Sequence, residues 1–245
     1  MDTFKKGLKA VFNPKRDFEE IATLKSSEKL LMVLMLLASI LAYYFSGDRS
    51  ILGLFTSIFT VLNLILIDRG RLTNYLWGIL SCSVWLFVAL ENRLIGDIAT
   101  QLFYFIMQFI GIYAWQKNLD ADGQEEITPK KMTQKQSLVI AVITVILYFI
   151  MVYISKKANG NQVWLDSLIL PMSIVAQILM TYGYRSQWLF WIVINIINVV
   201  IWAIQLHGGG NSALSMLVLN IMMLINSLYG LYVWYKHSDE VSTKE

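Results

Sequence analysis

The sequence predicts an all-α polytopic membrane protein with eight transmembrane helices, and three observations predict it. Hydrophobic residues make up 56% of the 245 and charged residues only 15%, with a mean hydropathy of +0.55; soluble domains carry roughly 25% charged residues. Eight apolar stretches, each near the length needed to cross a bilayer, alternate with short polar turns. Basic residues are unevenly shared between the two sides that those turns define.

The first 28 residues hold Lys5, Lys6, Lys9, Lys15, Arg16, Asp17, Glu19 and Glu20 and lack the early apolar core of a signal peptide. Phe4, Leu8, Val11 and Phe12 recur at helical spacing opposite lysines, which reads as a short helix lying on an anionic leaflet. Span 1 covers Lys29–Phe45, span 2 Ser50–Ile67, span 3 Tyr75–Leu90 and span 4 Asp97–Trp115. Span 5 covers Ser137–Ile154, span 6 Leu165–Tyr182, span 7 Trp188–Leu206 and span 8 Ala213–Tyr235. The turns read as Gly47-Asp48-Arg49, Asp68-Arg69-Gly70-Arg71, Glu91-Asn92-Arg93, Tyr184-Arg185-Ser186 and Gly208-Gly209-Gly210-Asn211. With both termini placed in the cytoplasm, 16 of the 20 basic residues fall inside; only Arg49, Arg93, Lys156 and Lys157 fall outside.

Gly111-x-Tyr113-x-Trp115 closes span 4 and Gly230-x-Tyr232-x-Trp234 closes span 8, each after two other spans. Four spans separate the two motifs, so the triplets share one orientation: a parallel repeat about an axis along the membrane normal. Segments follow from this: 1–28 a cytoplasmic basic segment, 29–46 an extra first helix, 50–116 the first three-helix bundle, 117–155 a loop and linker helix, 164–236 the second bundle, and 237–245 a tail.

Residues at i, i+4, i+7 and i+11 share a helix face. Such faces carry Asp97, Gln101, Tyr104 and Gln108 on span 4, Asp166, Ser173 and Gln177 on span 6, and Asn226 with Tyr229 on span 8. On span 7 a wider face carries Trp188, Trp191, Asn195, Asn198 and Trp202. Buried amides and indoles converging from both halves suit a flat polar small molecule. The competing reading is that they bond helix to helix, at about 1 kcal/mol each; Asn63 and Ser57 read that way, and Trp188, at a helix start, reads equally as an interface anchor. No charged residue sits mid-span, which favours a passive carrier over an ion-coupled one. Pro171 interrupts span 6 and should kink it, as a hinge or to shape the cavity. His207 and His237 read as loop residues without a catalytic partner, and the lone Cys82 excludes an internal disulfide or multi-cysteine metal site. No catalysis, cofactor, metal or nucleic-acid partner is expected.

Trp188-x-x-Trp191-x-x-x-Asn195 resembles the pattern of the PnuC family of nicotinamide riboside transporters. Asp97-Ile-Ala-Thr-Gln101-Leu-Phe-Tyr104 running into Gln108, Asp166 before Ser173 and Gln177, and the two Gly-x-Tyr-x-Trp motifs are similar to that family as well, over roughly residues 50–236. Span 1 and the N-terminal segment lie outside the pattern. The resemblance implies a SWEET-like fold of two three-helix bundles joined by a linker helix, in the bacterial inner membrane. It implies facilitated diffusion of nicotinamide riboside, phosphorylation of the product by a cytoplasmic kinase that need not touch the carrier, and a homotrimer. Thiamine or riboflavin carriers of the same fold are the alternative; a membrane-embedded enzyme or sensor is a distant one. The chemistry of nicotinamide riboside suits the stripes: indole faces of Trp188 and Trp191 attract its cationic ring by about 0.5–2 kcal/mol. Asn195 or Gln177 can meet the carboxamide, and Gln108, Asn198 and Asn226 the ribose hydroxyls.

Overall fold

The computed structural model describes residues 2–46, 49–91, 95–123, 126–157, 163–208 and 213–242. They form ten helices: α1 (Asp2–Val11), α2 (Pro14–Ala22), α3 (Ser26–Phe45), α4 (Ile51–Asp68), α5 (Asn74–Glu91), α6 (Ile95–Asp122), α7 (Gln134–Lys157), α8 (Val163–Thr181), α9 (Gln187–His207) and α10 (Ala213–Ser242). Helices α3 to α10 coincide one for one with spans 1 to 8. Five stretches among the described residues are long and apolar enough to cross a membrane: Ser26–Phe45, Ile51–Asp68, Gln134–Ile154, Gln187–Ile204 and Leu214–Asp239. Apolar stretches in α5 and α8 are shorter. The turns at Gly47-Asp48, Asn92-Arg93 and Gly209-Gly210-Asn211, and the side chains of Asp97 and Asp166, lie outside the described residues.

Helix α4 packs on α5 and α5 on α6; α8 packs on α9 and α9 on α10. The two groups meet where α6 touches α8 and α10 touches α4. Helix α3 lies against α4 and α10, and α7 lies against α8. Leu138, Val142, Ile146, Phe149 and Tyr153 of α7 are exposed, as an apolar helix facing lipid tails would be.

The N-terminal helix differs from the expectation. Val11 is fully buried, with Phe4 and Leu8 packed on the same core, and Gly7 sits so close to α6 that a Cβ there would come within 2.8 Å of Ile112. Phe4, Leu8 and Val11 of the expected stripe are therefore spent on protein rather than on a lipid leaflet, while Phe12 stays exposed. Asn13 caps α2, its side chain accepting from the Lys15 N–H at 3.0 Å, with Pro14 at the first helical position. Asp17 of α2 accepts from the Trp77 indole at 3.0 Å, and Glu20 accepts from the Thr73 backbone N–H at 3.0 Å and hydroxyl at 2.6 Å. Burial holds the Asp17 carboxyl above its ordinary value, although the Trp77 and Thr73 bonds pull the other way.

Two further expectations are corrected. Residues 237–242 continue α10 instead of forming a tail, because Arg185 donates to Ser238 at 3.1 Å and Asp239 at 2.9 Å and holds the last turn. His207 and His237 are accordingly helical, His207 exposed in the final turn of α9.

Candidate functional site

The turns that end α4 and α8 are built by the same bonds, 113 residues apart. Gly70 N–H donates to Ile67 O at 2.8 Å and Arg71 N–H to Leu66 O at 2.9 Å; Gly183 N–H donates to Met180 O at 2.9 Å and Tyr184 N–H to Leu179 O at 2.8 Å. Each is a helix stop with a glycine at positive φ, +65° and +76°. The indole of Trp115 donates to Met180 O at 3.2 Å, and that of Trp234 donates to Ile67 O at 3.2 Å and Asp68 O at 3.1 Å. Each Gly-x-Tyr-x-Trp motif thus caps the first helix of the opposite group. Its glycine admits a ring that opens the preceding helix of its own group: a Cβ on Gly111 would lie 2.3 Å from Tyr75, and one on Gly230 would lie 2.5 Å from Trp188.

Tyr75, Trp115, Trp188 and Trp234 pack into one buried aromatic core with Ile127, which closes this end of the bundle. The segment before α7 straps across it. Ile127 N–H donates to Gly70 O at 3.1 Å and Lys130 N–H donates to the corresponding Gly183 O at 2.7 Å. Glu126 pairs with Arg69 at 2.6 Å and Arg71 at 3.0 Å, and Lys131 with Asp239 at 3.0 Å.

Deeper in the bundle, Asn195 donates to Ser227 Oγ at 2.8 Å, joining α9 to α10, and leaves its own Oδ1 without a partner. Trp191 and Tyr104 approach to 6.2 Å between ring centroids, tilted by 57°, which brings α9 to α6. Gln108 is buried against Gly78, where a Cβ would lie 2.4 Å from its Oε1, and its side chain reaches the Cys82 thiol. Gln101, Ser173 and Gln177 are buried, with Gln177 Nε2 unpartnered. Asn226 is fully buried and donates to Asp68 at 3.3 Å, leaving its Oδ1 free of hydrogen bonds. Asn198 and Trp202 are half-buried on the same α9 face. Asn63 donates to Asn74 O at 2.8 Å and Ser57 to Gly53 O at 3.0 Å, as packing residues do.

Trp188 and Trp191 pair with different neighbours. Trp188, 1% exposed, is no interface anchor; its ring lies edge-on to Trp234, with centroids 6.1 Å apart, and its Nε1 has no partner. Asp68, Ser227 and Gly78 escaped the sequence reading. Asp68 in particular was read into a polar turn. Gly70 as the left-handed residue after the helix was the available signal, since it places Asp68 inside the last turn. Asp68 is 1% exposed.

Two clefts open at the strapped end, one of about 740 Å³ lined by Lys6, Arg16, Glu20, Arg71, Gln116 and Asp120 among others, and one of about 300 Å³ lined by Lys131, Arg185 and Tyr235 among others. The residues lining them are not those of the polar stripes. Among the described residues no group of three or more His, Cys, Asp and Glu is placed to hold a metal ion.

Residues 50–236 match the model of the nicotinamide mononucleotide transporter family. The chain belongs to that family. It is 31% identical over 220 residues to the nicotinamide riboside transporter PnuC of Haemophilus influenzae, covering 89% of this chain and 93% of the relative. With the PnuC of Neisseria mucosa it shares 29% over 213 residues, 85% of this chain and 81% of that one. A crystal structure of the vitamin B3 transporter PnuC superimposes with a TM-score of 0.76 at 29% identity, over 89% of this chain and 94% of that one. Coverage of 89% exceeds the 50–236 segment, so the likeness extends into the residues before Ser50, beyond the range first expected. The protein is a membrane transporter of this family, not an enzyme.

Proposed function

We propose that the chain is a facilitated-diffusion carrier for nicotinamide riboside in the bacterial inner membrane, with both termini in the cytoplasm and eight spans. The halves at 50–116 and 164–236 form a parallel, SWEET-like repeat, with the α7 segment at 117–155 as linker and α3 as the extra helix. They rock about the polar stripes to expose a site first to one side and then to the other. The reading is supported most by the join between Trp191 of α9 and Tyr104 of α6, each one helical turn from a buried amide, Asn195 and Gln108, with the buried amide Gln177 on α8. Three of those amides each keep an unpartnered atom, Asn195 Oδ1, Gln108 Oε1 and Gln177 Nε2, where a flat ring with a carboxamide and hydroxyls could satisfy them. Gln101, Ser173, Asn198, Asn226 and Trp188 complete the proposed lining. In this scheme the strap and aromatic core form the closed cytoplasmic side, the product is phosphorylated by a kinase after release, and the carrier is a homotrimer.

Counterflow in liposomes tests the reading: nicotinamide riboside exchanges without an ion gradient, and excess thiamine or riboflavin does not compete. Preferential exchange of either vitamin would reassign the substrate, and a strict dependence on a sodium or proton gradient would overturn facilitated diffusion.

A further inference from the structure

Asp68 is a buried carboxyl that makes no ion pair among the described residues. One oxygen accepts from Asn226 at 3.3 Å; the other has no hydrogen-bond partner. The adjacent Arg69 turns away to Glu28 at 3.6 Å and Glu126 at 2.6 Å. Ionising a carboxyl in low dielectric without a counter-charge is costly, so an acid at such a position carries its charge where a cation pairs with it. Trp188 stands next to it: Asp68 Oδ1 and the Trp188 ring both lie within 2.6 Å of the point that a Cβ on Gly230 would occupy. Asp68 and the Trp188 indole thus pack side by side into the notch left by Gly230, and a carboxylate and an indole are the two attractions that a cationic ring can use together. The position is continuous with the polar stripe. Asn226, which holds Asp68, is followed on α10 by Ser227, which holds Asn195.

We propose that Asp68, with Trp188, is the determinant by which the carrier selects a positively charged substrate, pairing with the ring nitrogen's charge as the molecule passes from the Asn195 region toward the strapped end. This rests on the nicotinamide riboside reading. The charge is the distinguishing feature: 1,4-dihydronicotinamide riboside has the same groups and nearly the same shape but is neutral.

The test uses the full chain in liposomes with those two compounds as probes. For the wild type, uptake of the cationic probe exceeds that of the neutral one. Asp68→Asn keeps the shape and removes the charge, and the cationic-to-neutral rate ratio should fall by about a hundredfold or more, given the usual cost of losing one partner of a desolvated charge pair. Asp68→Ser, read by the same ratio, serves if the asparagine variant does not fold. An equal loss for both probes, as a structural or proton-carrying Asp68 would give, overturns the assignment while leaving the substrate reading standing. A wild type that carries neither probe overturns both.

Discussion

The turn from Asp68 to Tyr75 and the turn from Thr181 to Trp188 share a backbone and little else. Both stop a helix with a left-handed glycine, take a tryptophan cap from the other half and give a carbonyl to the strap. Their side chains differ wherever chemistry is at stake. At the same 113-residue offset, Asp68 stands opposite Thr181, Tyr75 opposite Trp188, Gly78 opposite Trp191 and Cys82 opposite Asn195. Main-chain bonds recur because they fix how two bundles meet, and both bundles must meet alike. The side chains have no such tie, so the second half supplies indoles and an amide while the first supplies small residues and a carboxylate.

That comparison can be broken at several points. The largest effect should come from the caps. Trp115→Ala and Trp234→Ala should each cost about 3–5 kcal/mol, as for other buried tryptophans, and should lower the Tm in detergent by similar amounts. A large cost on one side only would mean that the scaffold is not duplicated in energy. Next are the glycines behind the rings. Gly111→Ala and Gly230→Ala force Tyr75 or Trp188 to move and should each cost about 1–3 kcal/mol of overpacking, measurable by chemical unfolding. The turn glycines sharpen the comparison, because the strap leans unevenly on them. Alanine at either meets a positive φ, at about 1 kcal/mol. At Gly70 its Cβ would also lie 2.9 Å from the Ile127 nitrogen, against a nearest approach of 3.3 Å to the flexible Ile127 side chain at Gly183. Gly70→Ala should therefore destabilise more than Gly183→Ala.

The smallest effect concerns α1, which has no counterpart in the second half. Lys6 donates to Asp120 and holds its carboxyl below the ordinary range. A lowered carboxylate stabilises the docked helix above its unfolded pKa, near 4, and that contribution is lost as pH falls through the lowered folded value. The hydrogen-exchange protection factor of α1, taken against the intrinsic rate at each pH, should stay constant from neutral pH down to about pH 4 and fall only below it; a drop near pH 6 would assign the docking to another group.

Much of this was legible in the chain. Apolar length located eight helices, and the two Gly-x-Tyr-x-Trp motifs pointed to the duplicated contacts because glycine and tryptophan act locally, one by admitting a ring and the other by reaching a carbonyl. The face arithmetic grouped Asn195, Gln108 and Gln177 correctly as buried. It could not say which ring each indole would meet, so Trp188 and Trp191 looked like a pair although they face different neighbours. Asp68 was missed because hydropathy alone reads an acidic residue beside Arg69 as solvent-facing; only the turn geometry draws it inside. The docking of α1 on α6 was equally invisible, since an apolar stripe fits protein and lipid alike.

The central claim is that the scaffold is shared and the ligand chemistry is not. Calorimetric titration of the purified chain with nicotinamide riboside addresses it directly, with the equivalent positions Cys82 and Asn195 each changed to alanine. The account predicts wild-type affinity for Cys82→Ala and a loss of about tenfold or more for Asn195→Ala, the cost of one or two buried polar contacts. Unchanged affinity for Asn195→Ala, or equal losses at both positions, would contradict it.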